Sequence, residues 1–175
     1  IDVERRRIEL RKHERIADEL RRMAGEDPLT AIANRRTLDI DGGALISACG
    51  AGIVSLAIID VDNFKAINDV HSHLVGDAVL KRLAEVLSAQ IRPSDLVARY
   101  AGDEFVLVLP GLDAAAAESL RVCVQHATDH EHWEHIAPGL TVTTSIGLAT
   151  GVGRDGLWPM FADADAALYD AKRAC

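Results

Sequence analysis

Apolar positions return along this chain first with a period of seven and then in alternating strand-length and helix-length patterns. In IDVERRRIELRKHERIADELRRMA, Val3, Leu10, Ala17 and Ala24 recur every seventh residue, and Ile16, Leu20 and Met23 thicken the stripe. The stretch has no Gly or Pro, so it predicts a helix with one narrow apolar seam. Arg6 and His13 occupy seam positions where a coiled coil prefers Leu, and a paired coil and a solvated helix both fit. GEDPLT stops the pattern. The chain opens inside it at Ile1, as a piece cut from a longer protein would.

Beyond that helix, GIVSLAIID is a nearly continuous apolar run suited to a central strand. GDAVLKRLAEVLSAQI sets Val79, Leu80, Leu83, Val86, Leu87 and Ile91 on one helical face, with Asp77 placed to cap its start. LVARY and EFVLVLP flank AGD as a hairpin. DAAAAESLRVCVQHA reads as a helix, LTVTTSIGLAT as a strand and PMFADADAALYDAKRAC as a closing helix. The order β-α-β-β-α-β predicts an α+β, ferredoxin-like layout in which helices cover one face of an antiparallel sheet.

Composition narrows the picture. With 175 residues, 49% of them hydrophobic, the chain can bury one substantial core, so we expect one domain plus an appendage. The net charge is −8, yet the first 24 residues hold eight of the 19 Lys and Arg, which leaves the body still more acidic. An acidic body argues against non-specific nucleic-acid binding, which depends on neutralising phosphates with basic side chains. Phosphates would be handled at a local site helped by a divalent ion. Cys49, Cys123 and Cys175 lie far apart with no CxxC spacing, as expected of reduced thiols in a cytoplasmic protein. No secretory leader or membrane-length apolar run is visible, so a soluble intracellular segment is expected.

The candidate chemistry lies in carboxylates distant along the chain. Asp60 ends the first long strand, and Asp103 and Glu104 sit in the hairpin RYAGDEF. In a β-α-β-β-α-β sheet these strands can be neighbours, which would gather three acidic groups at one sheet end. Such groups repel unless a cation neutralises them, and oxygen-only ligands favour a hard ion such as Mg²⁺, which takes one or two carboxylates plus substrate phosphate. Each alone has a plainer reading, Asp60 as a strand-ending turn residue and Asp103 as ordinary hairpin chemistry. The stretch DVDNFKAIND adds a phosphate-sized environment. The backbone leaves the strand, turns at Asp62 and Asn63 and enters a short helix, where N–H groups near Phe64 and Lys65 can cradle a polyphosphate.

EDPLTAIANRR, IIDVDNFKAINDVHSHLVGD, RPSDLVARYAGDEFVLVLP, TVTTSIGLA and ADAALYDAK together resemble the successive motifs of the GGDEF family, the diguanylate cyclases of bacterial signalling. The resemblance runs from Asp27 to Lys172. It implies a nucleotidyl-cyclase palm over residues 26–175, preceded by an N-terminal helix over 1–25 that links to an upstream sensor domain. It implies condensation of two GTP into cyclic di-GMP with release of two pyrophosphates. Asp60 and Asp103 would hold Mg²⁺, or alternatively Mn²⁺, with the Val61 carbonyl as another ligand and Glu104 aiding the metal or the attacking hydroxyl. Phe64, Lys65, Ala101, Gly102 and Lys172 match positions around the triphosphate, Asn68 and Asp77 the guanine readers, and Arg92 and Asp95 the RxxD site that binds product as inhibitor. One palm holds one GTP, so a homodimer of facing domains is implied.

The bare residues leave other readings open. Asp77 also suits a helix cap, Asn68 a turn, Lys65 and Lys172 surface charge, and Arg92 with Asp95 an ordinary surface pair. Guanine offers N1–H and a 2-amino group as donors that a carboxylate accepts, and adenine lacks that pair, so the chemistry of Asp77 fits its implied role. A receptor that binds cyclic di-GMP or GTP without turnover is the runner-up, and a dimerisation module without nucleotide is a third reading.

The chain also departs from the family's pattern. The signature is AGDEF, and Ala101 fits if its φ is negative while Gly102 takes the positive one. Ala31 and Ile32 replace Gly-Leu in DxLTGLxNRR and Ser72 replaces Gly in the GH pair, read here as backbone-packing positions remote from the phosphates. The resemblance places a Gly-Arg-Asn segment, with a phosphate-contacting arginine, from Cys175 onward. His126, His130, His132 and His135 fit no standard zinc spacing and read as a solvated connection, and Trp133 and Trp158 as packing residues.

Overall fold

The computed structural model describes residues 2–174. Helix α1 (Asp2–Gly25) leads into the short α2 (Arg35–Thr37), a π-helical turn over Leu38–Gly42 and α3 (Gly43–Ala48). Then come β1 (Ile53–Val61), α4 (Phe64–Val70), α5 (His73–Gln90), β2 (Leu96–Ala101), β3 (Glu104–Pro110), α6 (Ala114–Asp129), β4 (Thr144–Val152) and α7 (Leu157–Ala174). The four strands form one antiparallel sheet in the order β2-β3-β1-β4, the expected β-α-β-β-α-β succession.

Helices cover both faces of that sheet, which corrects the one-face expectation. Ala57, Ile59 and Val61 of β1, with Phe105, Leu107 and Leu109 of β3, pack under α5 and α6 through Leu80, Leu83, Leu87 and Val124. Val54, Leu56 and Ile58, with Val106 and Val108, pack against Leu157, Met160 and Leu168 of α7 and against Leu38 and Ile46. The cause is visible in β1 itself. Every residue from Val54 to Val61 is buried, and a central strand buried on both faces reads as a continuous apolar run rather than an alternation. Gly147 lets α7 approach closely, because a Cβ there would overlap the Ala164 carbonyl and the Leu168 amide.

Helix α5 starts earlier than its sequence suggests. Ser72 is its N-cap and accepts from the Val75 amide at 3.3 Å, so Asp77 lies within the helix and does not cap it. The α1 seam faces solvent in the single chain, with Val3 70%, Ile16 55% and Leu20 60% exposed. Leu10, Ala17 and Met23 of that seam, together with Ile1 and Cys175, lie outside the described side chains or residues.

Two of the departures from the family pattern carry backbone strain. Ala31 has φ 60° and Ser72 φ 143°, values that glycine adopts freely and other residues reach at a cost of about 1–3 kcal/mol each. They are therefore more than packing positions. Ala31 is exposed, and its only described backbone bond, to the Asp27 carbonyl at 2.9 Å, survives substitution. Ala31→Gly should stabilise the fold by about 1 kcal/mol, read in urea unfolding as a higher midpoint at an unchanged m-value. Ser72→Gly should behave likewise, since losing the long cap bond to glycine costs only a few tenths of a kcal/mol.

Candidate functional site

The sheet register assembles the acidic site. Asp60, near the end of β1, pairs with Glu104 at the start of β3, and the Val61 amide donates to the Asp103 carbonyl at 3.3 Å. The hairpin turn is thus fastened to β1 beside Asp60. It is built by Gly102 at φ 36°, between Ala101 and Glu104, which face each other across the turn. Ala101 keeps a φ outside the left-handed region, so its methyl imposes no backbone strain. Arg99 braces the turn, donating from Nε to the Gly102 carbonyl at 2.8 Å and from Nη1 to Asp27 at 3.1 Å.

Charge is concentrated here. Asp60 is 8% exposed. Burial and the neighbouring Asp103 and Asp62 push its carboxyl above the usual range, against a hydrogen bond from Lys172 that pulls it down. Burial, then Asp60 and Asp103, likewise raise Glu104. Lys172 on α7 places Nζ 2.8 Å from Asp60 Oδ1. Burial opposes the lysine's charge, but the bond to Asp60 and the fields of Asp60, Asp103 and Glu104 outweigh it and raise its pKa. Asp60, Asp62, Asn63, Thr143, Ser145 and Lys172 line an open cleft of about 500 Å³.

Asp62 was legible only as a turn residue, and the structure gives it a further part. Its amide donates to the Thr143 carbonyl at 2.9 Å, and its two carboxylate oxygens accept from Thr143 Oγ1 at 2.7 Å and Ser145 Oγ at 2.6 Å. The clamp holds the β1–α4 turn, where Asn63 takes φ 51°, against β4 and its approach. The signal was the alternation of Thr141, Thr143 and Ser145, hydroxyls at the period that puts them on one side of an extended chain.

Among the described residues, no three His, Cys, Asp or Glu side chains converge as ligands for one ion. What the chain offers is the Asp60 carboxylate on an open cleft, Glu104 paired with it across the strands, and a lysine supplying the positive charge. That set suits Mg²⁺, which keeps water and substrate phosphate among its ligands, better than an ion that demands a closed protein cage. Phe64 and exposed Lys65 open α4 beside the same turn. Asn68, half-buried on α4, lies with its amide against Gly76 of α5, one residue before exposed Asp77.

The profile of the family described as "Diguanylate cyclase, GGDEF domain" matches residues 24–175. The chain belongs to the GGDEF family. Diguanylate cyclase DgcP of Pseudomonas aeruginosa is 36% identical over 168 residues, 93% of this chain and 24% of that protein. Diguanylate cyclase DgcM of Escherichia coli K12 is 36% identical over 170 residues, 94% of this chain and 40% of that protein. The chain therefore spans less than half of either relative. The coiled coil and GGDEF domain of DgcB from Caulobacter crescentus, solved in complex with c-di-GMP, superposes with a TM-score of 0.86 at 27% identity, covering 95% of this chain and 90% of that one.

In this GGDEF domain, Arg92 and Asp95 form an ion pair apart from the acidic cluster. Arg92 Nε and Nη2 donate to Asp95 at 3.1 and 2.7 Å, and Nη2 also donates to the Pro110 carbonyl at 2.8 Å. Pro110 ends β3 six residues beyond Glu104, about 20 Å along the strand from the acidic cluster. The histidines do not gather around one point. His126 and His130 stack at 3.9 Å along the end of α6, His132 and His135 sit 5.5 Å apart, and all four are exposed. Trp133 is a packing residue, buried with Nε1 donating to the Thr128 carbonyl at 2.9 Å. Trp158 is 47% exposed, edge-on to Tyr100 at 6.5 Å.

Proposed function

We propose that this GGDEF domain condenses two GTP molecules into cyclic di-GMP and two pyrophosphates. The observation that carries the reading is the meeting of Asp60 with Asp103 and Glu104 at one sheet end, beside a cleft that opens toward the start of α4. In each half-reaction a 3′-oxygen bonds to the other nucleotide's α-phosphorus, the bond to pyrophosphate breaks, and the hydroxyl proton leaves. Asp60, Asp103 and the Val61 carbonyl would hold Mg²⁺ or Mn²⁺, which supplies charge neutralisation at the phosphates. Glu104, whose carboxyl is held above the usual range by burial and by Asp60 and Asp103, would accept the hydroxyl proton. Lys65, Lys172 and the backbone around Phe64, Ala101 and Gly102 bind the triphosphate, and Asn68 with Asp77 select guanine.

One palm carries one nucleotide, so two copies must face each other. Helix α1 joins the cyclase domain, 26–175, to a sensor and aligns the pair. Arg92 and Asp95 take product as inhibitor, the Arg92 fork turning from its carboxylate partner to phosphate and guanine. No helix among the described residues is long and apolar enough to cross a membrane. We place the reaction in the cytoplasm, where GTP is available.

Purified protein incubated with GTP and Mg²⁺, its nucleotides resolved by chromatography, should yield cyclic di-GMP and pyrophosphate. Activity per molecule should rise with protein concentration. Ala101→Gly should change turnover by no more than about 150-fold, since one methyl at a site edge is worth about 1–3 kcal/mol at most. Nucleotide binding without product, in wild type and Ala101→Gly alike, would leave the receptor reading in its place.

A further inference from the structure

We infer that Gly76 is a positioning residue for guanine selection: the missing side chain is the space in which the Asn68 amide rests. The inference builds on the reading of Asn68 as a guanine contact. Gly76 is buried inside α5, four residues past the Ser72 cap, and it is not among the glycines with positive φ. Conformational freedom is therefore not what the position uses. An alanine there would favour the helix by about 1 kcal/mol. Space is what the position supplies. A Cβ built on Gly76 would overlap Asn68 Oδ1, come within 3.0 Å of Asn68 Cγ and stand 3.2 Å from Phe64 Cζ.

No hydrogen bond of its own fixes the Asn68 side chain among the described residues. It is half-buried, and its donor and its acceptor remain available to a base. An amide edge selects by hydrogen bonding only when it is held where the base arrives, and the absent Cβ of Gly76 is where α5 leaves room for the Asn68 amide. A methyl at 76 would turn the amide away without disturbing the helix, because the clashing atom is the end of a side chain that can rotate. Folding and base recognition should then respond with opposite signs.

The test is calorimetric titration of a GTP analogue with a methylene in place of the α,β-bridging oxygen, run beside ATP, against wild type, Gly76→Ala, Asn68→Ala and the double variant. Melting temperatures are recorded for all four. Gly76→Ala should bind the GTP analogue at least about tenfold more weakly, with a reduced preference over ATP, and should melt no lower than wild type. The double variant should bind no more weakly than Asn68→Ala, since Gly76 acts only through the amide.

Should Asn68→Ala weaken binding while Gly76→Ala does not, the inference fails and the guanine reading stands. Should Asn68→Ala bind as wild type, the guanine reading itself fails. A Gly76→Ala loss that persists in full on the Asn68→Ala background overturns the inference. So does a double variant that no longer folds, because the space would then serve Phe64 or the backbone.

Discussion

Glu104→Gln should lower cyclic di-GMP formation by about a thousandfold or more while the metal-free protein melts at a higher temperature. The activity loss follows from the loss of the group placed at the attacking hydroxyl and of one charge beside the metal, effects that together reach this size in related chemistries. The gain in stability follows from electrostatics. Burial, Asp60 and Asp103 all disfavour a charged Glu104, and the amide keeps the shape without the repulsion.

The pH dependence gives the sign. A carboxyl raised in the folded state contributes stability that is fully present below its unfolded value, about 4, and is lost as pH rises through the raised one. The melting temperatures of wild type and Glu104→Gln should therefore coincide in acid and diverge as pH climbs through that window. Calorimetric scans across pH check it. A wild type that gains stability relative to the variant over that interval would show Glu104 to be favourably paired.

The second large effect is expected at Lys172. Its ammonium sits on Asp60 Oδ1 at 2.8 Å and is the cation that lets three neighbouring carboxyls coexist without metal. If Asp60 and Asp103 hold the ion as proposed, Lys172 would compete with it for Asp60 and would be free to meet the phosphates once displaced. Lys172→Met should bind Mn²⁺ about tenfold more tightly in the absence of nucleotide, measured by the loss of the free-ion electron paramagnetic resonance signal. It should nonetheless turn over GTP about a hundredfold more slowly, having lost a phosphate contact. Unchanged or weaker Mn²⁺ binding would mean that the lysine does not compete for the site.

Much of this architecture could be read from the chain because β1 and the β2–β3 hairpin announce themselves. GIVSLAIID and EFVLVLP are unbroken apolar runs, and a Gly-Asp turn joins strands in the way hairpins require. That turn sets Ala101 opposite Glu104, and the pairing of β1 with β3 then brings Asp60 opposite Glu104. The second helical layer was less legible, although the continuous burial of β1 encodes it. Residues 35–48 were missed because Gly42 and Gly43 look like a break, whereas Gly42 is buried against Leu38 and Leu96 where helical turns meet the sheet. Ser72 was unreadable as a cap because its φ of 143° is one that only tertiary packing imposes. The Asp62 clamp escaped notice because its partners lie 81 and 83 residues away.

The junction after α1 has a mechanical consequence. Asn34 Nδ2 donates to the carbonyls of Ala24 and Glu26 at 2.9 and 3.2 Å, and Thr37 Oγ1 donates to that of Gly25 at 2.6 Å, so the last turn of α1 is latched to the body. One step on, Asp27 accepts from Thr30 and from Arg99, whose other arm holds the Gly102 carbonyl. Torque applied to the leading helix is therefore delivered, through a strut one arginine long, to the tip of the signature hairpin. The two cannot slip past each other without snapping polar links in series.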